Sequence, residues 1–142
     1  MNRLILLLLV LAVYAARGQQ ITEDPVNAFL SAKQSGKKVL LVFSGSDWCL
    51  PCIRFEKKIL SDSSFRQLAS GLLVVLMADF PQHKKIPDTL RIQYEALSEQ
   101  FNPSGDFPRI VLLDADKRFL AVLVYAGQSS RDFIREMREL LK

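Results

Sequence analysis

Apolar positions along this chain fall into short unbroken runs and longer stretches at helical spacing, two patterns with different structural meanings. Val39-Leu40-Leu41-Val42-Phe43 and the run from Leu72 to Met77 are of strand length and rich in β-branched and aromatic residues, which predicts two strands buried on both faces. Asp24-Pro25 supplies an N-cap and a first helical residue. Val26, Phe29 and Leu30 then recur at helical spacing until Gly36, so a first helix is expected there. A second begins at about Cys49, with Cys52, Phe55 and Ile59 on its apolar face and Arg54, Lys57 and Lys58 elsewhere. A third opens at Pro87, carries Leu90, Tyr94, Leu97 and Phe101 on one side, and ends at Asn102-Pro103-Ser104-Gly105. The tail reads as a hairpin, Arg109 to Leu113 and Phe119 to Tyr125 around Asp114-Ala115-Asp116-Lys117. A last helix follows, opened by Ser129 and Asp132, with Phe133, Ile134, Met137, Leu140 and Leu141 directed inward. The predicted order is α-β-α-β-α-β-β-α, a single α/β domain.

The leading segment stands outside this pattern. Arg3 gives a positive start, Leu4 to Val13 is uncharged and apolar, and Ala16 and Gly18 are small residues at the −3 and −1 positions of a cleavage site. Residues 1–18 therefore read as a secretory signal and 19–142 as the working domain, in a periplasmic or secreted location. An apolar stretch ending near Ala16 is shorter than the roughly 20 residues a membrane span needs, so no stable membrane insertion is expected after cleavage. Loss of Arg3 and Arg17 takes the formal charge from +4 to +2. So small an excess, without a long basic run, excludes nucleic acid as an expected partner. Export also places the chain where a cysteine pair can close or cycle.

The chain holds 2 Cys and 1 His, too few for a four-ligand zinc site or a multi-bridge scaffold. Cys49-Leu50-Pro51-Cys52 is the one constellation with a specific chemical meaning. Two cysteines scattered at random would show this spacing in roughly 2% of cases, so location rather than spacing carries the argument. The pair lies where a buried strand passes through Ser44-Gly45-Ser46-Asp47 into a helix, placing Cys49 at the helix N-terminus, where free N–H groups and the dipole favour a thiolate. That effect lowers a thiol pKa near 8.5 by about one unit. Asp47 opposes it, and the basic side chains lie a turn or more away, so activation is moderate. Cys49 is then the attacking thiol and Cys52, one turn in beside Phe55, the shielded resolving thiol. Pro51 is tolerated in the first turn because its missing N–H would have no helical partner. A structural disulfide is disfavoured because so short a loop removes little chain entropy. A Cu(I) site with His83 as third ligand is the other alternative.

Ser46-Asp47-Trp48-Cys49-Leu50-Pro51-Cys52 after a buried strand, Asp106-Phe107-Pro108-Arg109-Ile110-Val111-Leu112-Leu113-Asp114 and Tyr125-Ala126-Gly127 together resemble the thioredoxin superfamily, and most its exported thioredoxin-like members. The resemblance covers nearly all of 19–142. It implies a thioredoxin fold, a central mixed β-sheet flanked by α-helices, with Cys49 as nucleophile, Cys52 as resolving cysteine and Pro108 as a cis-proline facing them. It further implies a substrate groove at Trp48, Pro51, Phe107, Pro108 and Gly127, in which an extended substrate strand lies. Two departures stand out. Phe43 occupies the position six residues before the nucleophile where typical thioredoxins have a buried acid, leaving proton transfer to another group such as Asp47 or to water. Leu50-Pro51 replaces Gly-Pro.

The expectation is an exported thiol-disulfide oxidoreductase acting on protein disulfides, with the reductase direction favoured because strong thiolate stabilisation is what makes an oxidant. Its redox group is the Cys49–Cys52 pair, with no other cofactor and no metal. With no second pair in the chain, a separate redox partner must recharge it. The rival expectation is a non-enzymatic binding module of the same fold that holds a partner protein, or Cu(I) through the pair.

Overall fold

The computed structural model describes Gly18 and residues 20–142. Five strands, β1 (Gln20–Thr22), β2 (Lys38–Ser44), β3 (Leu73–Asp79), β4 (Arg109–Leu113) and β5 (Phe119–Leu123), form one sheet in the order β1-β3-β2-β4-β5. β3 runs parallel to β1 and β2, while β4 runs antiparallel to β2 and β5, so the sheet is mixed as expected. The helices are α1 (Pro25–Ser35), α2 (Leu50–Phe55), α3 (Ser63–Leu72), α4 (Asp88–Phe101) and α5 (Ser130–Leu140). α2 continues into a widened π-helical turn over Glu56–Leu60, closed by the Ser61 N–H donating to the Glu56 carbonyl at 3.0 Å. Except for Gly18, the segment read as an export signal lies outside the described residues.

Strand alternation divides the core into two layers. Leu40 and Val42, with Val75, Ile110 and Leu112, face α2, α3 and α5, packing on Phe55, Ile59, Phe65 and Phe133. Val39, Leu41 and Phe43, with Val74, Leu76, Val111 and Leu113, face α1 and α4, packing on Ala28, Phe29, Tyr94 and Leu97. Both faces of β2 are therefore covered. Each fully buried Val, Leu or Phe contributes about 1.5–3 kcal/mol relative to exposure, which holds this strand at the sheet centre and fixes the point from which the Cys49 loop departs.

Several expectations need correction. β1 and α3 are additional elements. β1 is an edge strand held by main-chain pairing to β3, with Ile21 half-exposed, so its side chains do not announce it. α3 has three serines and Gly71 among its ten residues, poor helix formers, and depends on packing of Phe65 and Ala69 and on its cap. In α1, Val26 and Leu30 point outward while Ala28, Phe29 and Ala32 are buried. Alanines facing inward let the helix lie close to the sheet, a preference that counting large apolar residues overlooks. In α5, Phe133, Ile134 and Met137 are inward, but Leu140 is exposed and Leu141 only partly buried. The second hairpin strand stops at Leu123, short of Tyr125.

Asp62 caps α3 and ties it to α5. Its carboxylate accepts from the N–H groups of Ser64 (2.9 Å) and Phe65 (3.1 Å) and from the Ser130 hydroxyl (3.1 Å). The Phe65 N–H, above all, holds the carboxyl below its ordinary value of 3.8. A carboxyl depressed in the folded state stabilises the fold above its unfolded pKa, and that contribution disappears as pH falls through the folded pKa. Asp62→Asn, which keeps a capping oxygen and loses the charge, is expected to melt earlier than the parent at neutral pH and to converge with it in acid. Thermal unfolding followed down through the carboxylate range checks this; a difference independent of pH would refute it.

Candidate active site

The loop between β2 and α2 folds back on itself before the helix starts. The Cys49 N–H donates to the Gly45 carbonyl at 2.9 Å, and Cys49 becomes the N-cap of α2 with extended backbone. Its Sγ accepts the N–H of Cys52 at 3.2 Å, so a free amide of the first turn is directed at the sulfur. Cys49 and Cys52 are joined as a disulfide, with Cα atoms 5.3 Å apart. In this oxidised state Cys49 is 5% and Cys52 2% exposed. Cys52 is shielded as expected, and Cys49 nearly as much; what separates them is position, one capping the helix and the other a turn inside it. Pro51 occupies the first turn and is exposed.

Aromatic rings build the rim. Trp48 is 37% exposed, and its indole N–H donates to the Phe80 carbonyl at 2.8 Å. It lies against Gly45, where any Cβ would collide with the indole, so residue 45 must lack a side chain for the ring to sit there. The Phe107 ring meets Trp48 edge-on at 5.3 Å and Phe80 at 5.8 Å. The Phe107–Pro108 peptide is cis, as the resemblance implied. Gly127 is exposed with φ +86°, a conformation that favours glycine. Two residues before it, Tyr125 sets its ring against Phe55 of α2 at 5.2 Å. The structure thus joins Trp48 and Phe107 directly, and ties the segment leading to Gly127 to the helix that carries Cys52.

Phe43 is fully buried in the α1/α4 layer, on the opposite side of the sheet from α2, with its ring 6.4 Å from Phe80. Asp47 accepts from the N–H groups of Gln82 (2.9 Å) and His83 (2.8 Å). The Gln82 N–H above all holds its carboxyl below the usual range; desolvation, next in size, opposes it, and the His83 N–H adds to the lowering. A carboxyl so held is a weaker base than usual, which makes Asp47 ill-suited to take the proton that position 43 leaves unassigned. His83 is largely exposed, with Nδ1 3.6 Å from Asp47. Among the described residues no three His, Cys, Asp or Glu side chains converge as a metal-holding group.

Sequence reasoning missed Gly45, Ser46, Asp79 and Phe80. Asp79, at the end of β3, is buried and accepts from the Ser46 N–H (2.8 Å) and hydroxyl (2.6 Å). An acid closing an apolar strand run was the available signal, since a buried carboxylate requires partners.

A CxxC disulfide capping the helix that follows a central strand, with a cis-proline just before β4 whose preceding Phe107 meets Trp48, defines a protein thiol-disulfide oxidoreductase. The chain belongs to the thioredoxin-like family, whose model matches residues 20–115. It is 32% identical over 120 residues to the disulfide bond reductase DsbH of Chlamydia pneumoniae, covering 84% of this chain and 72% of that protein. The solved structure of a DsbH oxidoreductase superposes with a TM-score of 0.80 at 29% identity, covering 89% of this chain and 88% of that one. A thioredoxin from Thermus thermophilus shares the fold, with a TM-score of 0.63 at 18% identity over 85% of each chain. Among the described residues no helix is long and apolar enough to cross a membrane.

Proposed function

We propose that this chain is an exported reductase of protein disulfides, with residues 1–18 as its export signal, 19–142 as its working domain and a periplasmic or secreted location. The observation that carries the reading is the Cys49 sulfur at the α2 N-cap, accepting the Cys52 N–H. Relatedness to a disulfide bond reductase supports the direction.

In the reduced protein the Cys49 thiolate attacks one sulfur of a substrate disulfide, forming a mixed disulfide and releasing the first substrate sulfur as thiolate. Cys52, once deprotonated, attacks the Cys49 sulfur, and the second substrate sulfur leaves. Two electrons pass to the substrate, and the enzyme is left with the Cys49–Cys52 disulfide seen in the structure. Trp48, Pro51, Phe107, Pro108 and Gly127 border the groove that takes the substrate strand. Nothing beyond the disulfide serves as redox group. The chain contains 2 Cys in all, so a separate dithiol donor must exchange with the same pair to restore it.

Equilibration against graded glutathione buffers, with thiol state read by alkylation and mass, tests the direction. The pair is expected to be half-reduced below about −200 mV, on the thioredoxin side of the known range. A midpoint near about −120 mV would make the chain a disulfide donor instead. A pair that does not interconvert would overturn the enzymatic reading.

A further inference from the structure

The two loops at the carboxyl ends of β2 and β3 hold each other through reciprocal carboxylates. Asp79, on the β3 side, accepts from the Ser46 N–H and hydroxyl on the β2 side. Asp47, on the β2 side, accepts from the Gln82 and His83 N–H groups on the β3 side. Between them the Phe80 N–H donates to the Ser44 carbonyl at 2.8 Å, and the Phe80 carbonyl accepts the Trp48 indole N–H. Phe80 therefore links the 80–85 loop to Trp48 by a hydrogen bond and to Phe107 by its ring. Asp79 is buried, and removing it would leave Ser46 unsatisfied inside the fold. Asp47 is nearer the surface, yet both its oxygens receive loop N–H groups, the charge-assisted arrangement that orders a loop best.

We infer that Asp47 is a positioning residue: by anchoring the Gln82 and His83 N–H groups it sets the 80–85 loop, and through Phe80 the Trp48–Phe107 wall on which a protein substrate docks. The inference rests on the reading of the pair as a thiol-disulfide exchange site. A wall of this kind matters to a polypeptide laid along the groove and little to a small disulfide that needs only the sulfur. Preorganisation of a docking surface is felt in binding, so KM should carry the effect rather than kcat.

Two variants remove the same bonds from opposite sides. Asp47→Ala removes the acceptor together with its charge; Gln82→Pro removes one donor and leaves the carboxylate in place. With insulin as the protein disulfide, both are expected to raise KM by about tenfold and five- to tenfold respectively, with kcat within about twofold of the parent. Trp48 is the only tryptophan in the chain, so its emission reports the wall without substrate. In both variants it is expected to shift to the red and become more accessible to acrylamide. For Gln82→Pro the equilibrium with glutathione should stay within about twofold of the parent's, because the charge beside Cys49 is unchanged. Should Asp47→Ala fail to fold, Gln82→Pro still decides. A Gln82→Pro chain with parental KM and Trp48 emission would overturn the inference, as would a KM change matched by an equal change in the glutathione equilibrium. A parent inactive on insulin would overturn the exchange reading and with it the role in substrate binding, while the emission shift would still decide the loop placement.

Discussion

Cys52→Ser protein mixed with a protein disulfide is expected to accumulate as a covalent adduct through Cys49, whereas Cys49→Ser forms none. The structure gives the reason. The N–H that donates to the Cys49 sulfur belongs to the backbone of residue 52, and serine keeps it. The attacking sulfur therefore retains its stabilising donor while the thiol that would release the substrate is gone, so the reaction stops at the mixed disulfide. Steady-state disulfide reduction should fall by at least about 10³-fold in either variant, the scale on which loss of one member of a cooperating catalytic unit is felt. Intact mass with and without a reductant identifies the adduct. Adduct formation by Cys49→Ser but not by Cys52→Ser would reverse the two assignments.

The largest effect on stability is expected from Phe55→Ala. Phe55 lies in α2 three residues after Cys52, is 1% exposed, and meets Tyr125 and Phe133 edge-on at 5.2 and 5.4 Å. Truncation removes the transfer free energy of the ring, its aromatic contacts, and the packing of Phe133, which also touches Phe65 of α3. The expected loss is about 3–5 kcal/mol, a large part of what holds a domain of this size together. It should appear as a lower urea midpoint with an unchanged slope and a Tm lower by roughly 10–20 °C. Ile92→Ala, on the outer face of α4 where the side chain is 59% exposed, serves as the control and should stay within about 0.5 kcal/mol. Equal losses in the two variants would mean that the layer beneath the active helix is not the packed core described here.

That layer also shows how far local pattern carries. β2 and β3 were legible because a strand buried on both faces leaves an unbroken apolar run, and α4 because Leu90, Tyr94, Leu97 and Phe101 keep one face. α1 was legible through its caps: Asp24 accepts the Asn27 N–H and Gly36 takes a left-handed conformation. Its buried face was misread because the sheet selects Ala28 and Ala32, which allow close approach, over the larger Val26 and Leu30. α3 and β1 went unread because neither is stable in its own sequence; one needs Asp62, Phe65 and the α5 contact, the other a parallel partner more than 50 residues away in the chain.

The candidate site divides the same way. Sequence alone determined the Cys49–Cys52 pair, its place at a strand-to-helix junction, and the residues around it that resemble the family, because these follow from spacing, local periodicity and contiguous motifs. Tertiary structure decided that Phe43 faces away from the active helix, that Trp48 rests on Gly45 and bonds Phe80, and that Asp47 and Asp79 are acceptors for loops other than their own. Those outcomes depend on which segments the sheet order β1-β3-β2-β4-β5 makes neighbours. A carboxylate's partner more than 30 residues distant is fixed by strand register, and register is a property of the folded sheet rather than of any stretch of the chain.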